Sequence, residues 1–157
     1  MLNQLLIRDR SRHHVVKVKG WHVLEDREWH RTEGASSEAV NLLRSAAPVD
    51  LPESYYSLLC FSNGGEGPLA VQPLWICLYA AEEVVQIERR GTFREFFANL
   101  FVIGGNGGGE AVAFDLRESE PYPIVAFDMT NINLLESVRT IAPSFDAILE
   151  LIGRDGQ

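Results

Sequence analysis

The sequence predicts one α+β domain built on a largely antiparallel sheet. Helical patterns gather towards the two ends of the chain, and short apolar runs bounded by glycine and proline fill the middle. The joints between those runs are hairpin turns, which favours an antiparallel sheet over alternating βαβ units. The length of 157 residues suits a single core. A hydrophobic fraction of 46% with 23% charged residues excludes a disordered or fibrous chain.

From His14 to Trp21, Val16 and Val18 alternate with Lys17 and Lys19, which fits a short half-exposed strand interrupted by Gly20. The stretch from Trp21 to Arg31 fits neither period. Ser36 or Ser37 caps a helix that runs to about Ala47, with Val40, Leu43 and Ala47 at helical spacing and Pro48 ending it. Asp50 and Glu53 make a capping-box-like pair for a second helix over Leu51 to Ser62, with Pro52 in its first turn. Tyr55, Leu58, Leu59 and Ser62 make one face of it, with Tyr56 and Cys60 beside that face. Asn63, Gly64 and Gly65 tolerate positive φ and turn the chain.

Pro68 to Val71 and Leu74 to Tyr79 are too short for helices and are expected as strands joined tightly. Glu82 to Arg90 is expected to be helical, with Thr92 and Glu95 capping a short segment that carries Phe93, Phe96 and Phe97. Leu100 to Ile103 suits a central strand and Gly104 to Gly109 a turn. Val112, Phe114 and Leu116 then alternate with Ala111, Ala113 and Asp115, as in a strand with one covered face. Pro121 and Pro123 bracket the next turn, before a strand over Ile124 to Phe127. Ser144 caps a closing helix whose Phe145, Ile148, Leu149 and Ile152 point inward and which Gly153 ends.

Charge divides the chain. Seven bases (Arg8, Arg10, Arg12, Lys17, Lys19, Arg27, Arg31) face four acids (Asp9, Glu25, Asp26, Glu28) in residues 1–31, a balance of +3, so the remainder carries −11 of the net −8. An acidic body repels phosphate backbones, which argues against nucleic acid as a partner, and attracts basic surfaces. No window offers the 18 to 20 apolar residues of a membrane helix, and the first 30 residues lack the apolar core of a signal peptide. Cys60 and Cys77 are expected as free buried thiols in a reducing, cytoplasmic setting.

The motifs for chemistry are weak. Gly104 to Gly109 suggests a phosphate cradle, but no lysine with serine or threonine follows and the next segment is a strand rather than a helix N-terminus. His13, His14, His22 and His30 match no zinc spacing. Cys60 has no evident base beside it, and no two carboxylates stand out as an acid and base pair. No catalytic residue, cofactor or metal is expected.

Three segments in order carry a resemblance. Leu51-Pro52-Glu53-Ser54-Tyr55-Tyr56-Ser57-Leu58-Leu59 followed by Asn63-Gly64-Gly65 resembles a motif of the SUKH superfamily. That group includes the yeast cell-wall-assembly regulator linked to killer-toxin resistance and many bacterial immunity proteins. Phe101-Val102-Ile103-Gly104, with Gly108-Gly109-Glu110-Ala111-Val112-Ala113-Phe114-Asp115, is similar to the family's strand, glycine turn and strand. Ser144-Phe145-Asp146-Ala147-Ile148-Leu149 resembles its closing helix. Trp75 loosely takes the place of the family's tryptophan, and residues 1–35 have no place in its core.

The resemblance implies a bent, mixed, mostly antiparallel sheet flanked by helices over residues 36–153, after a basic extension or edge strand at 1–35 and before a tail at 154–157. It implies a non-enzymatic protein-binding module, monomeric or a weak homodimer, whose partner is a cognate toxin domain. A basic toxin nuclease is a natural target for an acidic inhibitor. Glu66, Trp75, Glu82, Glu83, Glu110, Asp115 and Asp128 are the candidate contacts, as acids and an aromatic near the glycine turns. A regulatory or scaffold module with an endogenous partner, and a small-molecule or nucleotide-binding enzyme using the glycine turn, are the alternatives.

Overall fold

A computed structural model describes Leu24 and residues 26–156; the strand expected over His14 to Trp21 and three of the histidines, His13, His14 and His22, lie outside them. Two helices come first. Ser36 caps α1 (Ser37–Ala46), its hydroxyl accepting the Ala39 N–H at 3.1 Å. The helix α2 (Glu53–Phe61) starts from Pro52 without a side-chain cap, so the expected Asp50 and Glu53 box does not form. Glu53 turns instead to Arg44 of α1, which donates to both carboxylate oxygens at 2.6 Å while its guanidinium lies 4.0 Å above the Tyr56 ring. The two helices are thereby tied side by side, and α2 is buried on nearly every face.

Six strands follow as a meander: β1 (Gly65–Pro68), β2 (Trp75–Leu78), β3 (Leu100–Gly105), β4 (Glu110–Asp115), β5 (Ile124–Asp128) and β6 (Arg139–Ala142), each paired with the next in that order. Every pairing among the described strands is antiparallel, where the resemblance implied a mixed sheet. The helix α3 (Ala81–Arg90) joins β2 to β3, α4 (Leu134–Ser137) joins β5 to β6, and α5 (Phe145–Leu149) closes the domain. Ser144 caps α5 as expected, accepting the Ala147 N–H at 3.1 Å. Among the described residues no helix is long and apolar enough to cross a membrane.

The main core lies between one face of the sheet and the helices. Ile76, Leu78, Phe101, Ile103, Val112, Phe114 and Ile124 of the strands meet Leu43, Tyr55, Leu59, Val84, Phe145 and Ile148 of the helices there. Tyr55, Phe114 and Phe145 form an aromatic trio, with ring centroids 5.3 to 5.7 Å apart, that joins α2, β4 and α5. These residues belong to all three resembling segments.

A second, smaller core covers the other face over β3, β4 and β5. Leu100, Val102, Ala111, Ala113, Val125 and Phe127 are roofed by Phe93 and Phe97. Strand β4 is therefore covered on both faces rather than one. The small Ala111 and Ala113 leave room for Phe97 to lie against Phe127, with centroids 4.6 Å apart. The roof is a run of turns over 91–99, not a capped helix.

Other departures concern boundaries. The first strand is Gly65–Pro68, not Pro68 to Val71, and α4 and β6 carry too little pattern to have been expected. Residues 26–35 run beside β1 and are fastened along their length. The His30 N–H donates to the Glu66 carbonyl at 2.8 Å, and the Glu28 N–H to that of Gly153 at 3.2 Å. The Arg27 guanidinium donates to the carbonyls of Leu149, the last residue of α5, and of Ile152 just beyond it. Arg31 donates to the Phe61 carbonyl, and its guanidinium lies 3.8 Å over the Phe61 ring.

Candidate functional site

Strand β2 alternates: Ile76 and Leu78 enter the main core, so Trp75 and Cys77 stand half-buried on the opposite face, with Tyr79 following them. Tyr79 also packs against the second core. Register sets Glu66 of β1 on one side of Cys77 and Gly105 of β3 on the other. A Cβ on Gly105 would lie 3.4 Å from the Tyr79 hydroxyl, so the floor between β2 and β4 is bare backbone.

Glu66 is exposed yet held in place. Its Oε2 accepts from the Cys77 thiol at 3.1 Å and from the Trp75 indole N–H at 3.4 Å. The first of these bonds, then the second, keeps its carboxyl below the usual range and so ionised. The same contact acts oppositely on the thiol: burial, then the hydrogen bond to Glu66, pushes Cys77 up to about 11. The His30 ring lies 6.3 Å from that of Trp75. Burial and, after it, the charge of Glu83 push the Tyr79 phenol up. His30, Glu66, Trp75, Cys77 and Tyr79 thus form one strip leading towards Glu83 at the start of α3.

The motif residues Asn63 and Gly64 position that helix. Its N-cap, Ala80, offers no side-chain bond, and Asn63 supplies one from a distance: Oδ1 accepts the Ala81 N–H at 2.8 Å while Nδ2 donates to the Glu82 carboxylate. This brings the end of α2 against the start of α3. Gly64 has φ of +87°, and a Cβ there would lie 2.5 Å from the Leu78 carbonyl oxygen, so only glycine fits the crossing.

The structure divides the seven sequence candidates. Glu66 and Trp75 stand together in the strip, and Glu82 and Glu83 lie in the first turn of α3. Glu110 and Asp128 face each other at the glycine-turn end of β4 and β5. Glu110 is ion-paired with Arg139, and Asp128 accepts from the N–H and hydroxyl of Thr130 in its own turn. Asp115 is not at the surface: its side chain is 5% exposed and both oxygens accept from Arg117. Hydrophobic neighbours on both faces of β4 bury it, so its presumed place among surface contacts is corrected. His30, Cys77 and Tyr79 were not among the candidates, although the period-two spacing of residues 75, 77 and 79 was visible. Neither cysteine is fully buried as expected; both are half-buried.

Two of the glycine turn's N–H groups are already taken inside the turn. Asn106 Oδ1 takes the N–H groups of Gly108 at 2.8 Å and Glu110 at 3.1 Å, and the Glu110 carboxylate stands beside them. Gly104 packs against the Cys77 carbonyl, whereas Gly109 has open space around it. A cavity of about 200 Å³ lies between α3 and β3, lined mainly by apolar residues such as Ile87, Phe93, Phe97 and Leu100. It is smaller than the usual small-molecule site. Among the described residues no three His, Cys, Asp or Glu side chains gather to hold a metal ion.

The family model described as SMI1 / KNR4 family (SUKH-1) matches residues 34–151, from just before α1 to just beyond α5. No curated protein matches the chain significantly.

Proposed function

We propose that this chain, which belongs to the SMI1 / KNR4 family (SUKH-1), is a non-enzymatic protein-binding module that binds and neutralises a bacterial polymorphic toxin in the cytoplasm. The observation that carries this reading is the strip of an exposed Glu66 with half-buried Trp75, Cys77 and Tyr79, and with Glu82 and Glu83 at its far side. Half-buried aromatics beside ionised acids are the side chains that anchor a basic protein surface.

The body's negative charge extends the attraction beyond contact distance. Residues 32–157 carry −11, and such a field raises association rates with a cationic partner in a salt-dependent way. A nuclease toxin is a fitting partner, because a protein that binds phosphate presents a basic face that this strip matches. The helices and both cores hold the strip rigid, so little entropy is lost when it docks.

The test is coexpression with the toxin domain encoded beside the chain. The reading predicts that the two copurify and that cells survive the toxin. A toxin that kills despite abundant soluble chain, with no complex formed, contradicts it.

A further inference from the structure

We infer that Trp75 and Glu66 together form the seat for a single arginine side chain of the partner. The inference deepens the reading above and rests on it. It starts from a difference among the carboxylates of this domain. Glu53, Asp115 and Glu110 are each bonded to an arginine of the chain itself, Arg44, Arg117 and Arg139. Glu66, like Glu82 and Asp128, is bonded among the described residues by neutral donors and by no cation, and it alone of the three takes an indole N–H, with a thiol beside it.

Those donors act on one oxygen. Both bonds fall on Oε2, which fixes the carboxylate beside the indole and leaves Oε1 for a donor from outside. A carboxylate held at the edge of a half-buried indole matches the guanidinium group. Its planar fork can donate to the carboxylate while its flat face lies against the ring, a pairing that the compact ammonium of lysine matches less well. Gly105, paired with Cys77 in the register, adds no side chain of its own beside the seat. The His30 ring, tilted 42° to that of Trp75, closes one side.

The experiment titrates the isotopically labelled full chain with N-acetyl-arginine methylamide and, separately, with its lysine counterpart, following the Trp75 indole N–H by NMR. Saturable shifts at that signal are expected, tighter for arginine than for lysine by severalfold, and lost in Glu66→Gln, whose remaining spectrum should be unchanged. No saturable shift, an equal response to lysine, or a response that survives Glu66→Gln overturns the inference. The probe needs no toxin, so the two readings fail separately. A chain that takes arginine but neutralises no toxin refutes the immunity reading. Neutralisation that Glu66→Gln leaves intact refutes the arginine seat.

Discussion

At Cys77, burial and the neighbouring Glu66 carboxylate push the thiol in the same direction, to about 11. A raised thiol pKa means that little thiolate exists at pH 8, so Cys77 should alkylate with iodoacetamide far more slowly than free cysteine and accelerate as the pH climbs towards 11. Glu66→Gln removes the charged neighbour, lowers that pKa and should speed alkylation at pH 8, read by mass spectrometry of the modified peptide. A rate equal to that of free cysteine, or one indifferent to Glu66→Gln, contradicts the contact. Tyr55 offers a second check. Its hydroxyl is fully buried with no hydrogen-bond partner among the described residues, and such a group costs about 1–3 kcal/mol. Tyr55→Phe is therefore expected to leave urea stability unchanged or raise it; a loss above about 1 kcal/mol would mean that the hydroxyl is satisfied. The place of Tyr55 on one face of its helix was legible from helical spacing. The fate of its hydroxyl was not, because Phe114 and Phe145, which surround it, come from distant parts of the chain.

Among the elements, α3 depends on a cap it does not itself carry. Asn63→Ala should cost about 1 kcal/mol and loosen the first turn of α3, seen as faster hydrogen exchange near Ala81. Gly64→Ala should cost more, because it adds a strained φ to a collision with the Leu78 carbonyl. The reverse order of losses would contradict this account of the Asn63-Gly64-Gly65 motif. The tie between α1 and α2 depends on pH. The hydrogen bond from Arg44 holds the Glu53 carboxyl below its usual range, so its contribution is present at neutral pH and lost as the pH falls through that depressed value. The pair is largely exposed, so Glu53→Gln should cost no more than about 1 kcal/mol at pH 7 and nothing in strong acid. Helix starts at Ser36 and Ser144 were legible because a cap is a local bond within four residues. Strand β1 was not, since Gly65-Glu66-Gly67 has no strand pattern and is a strand only because β2 and residues 26–35 pair with it. The double covering of β4 escaped notice for a similar reason: its roof comes from Phe93 and Phe97, in a segment with no regular period.

For the whole molecule, the α+β class and the order of the longer helices around the sheet followed from the sequence, because hydrophobic period and turn residues are local signals; α4 and β6 did not. The proposed strip was legible only in part: Glu66 and Trp75 were named, but the register that places Cys77 between Glu66 and Gly105 is a tertiary fact. Residues 26–35 are a further tertiary fact. They pair with β1, and Arg27 satisfies carbonyls at the end of α5 and just beyond it, so a chain beginning at Ser36 should unfold at a clearly lower temperature than the full chain. An unchanged melting temperature would show that those bonds add no stability. In the proposed reading these parts serve one property, an acidic face with an aromatic seat. Calorimetric titration of the full chain, and of its Glu66→Lys variant, with the toxin domain encoded beside it measures that property. The account predicts tight binding that weakens as salt rises and falls at least about tenfold in the variant. Binding indifferent to both salt and Glu66→Lys, or no binding at all, would contradict it.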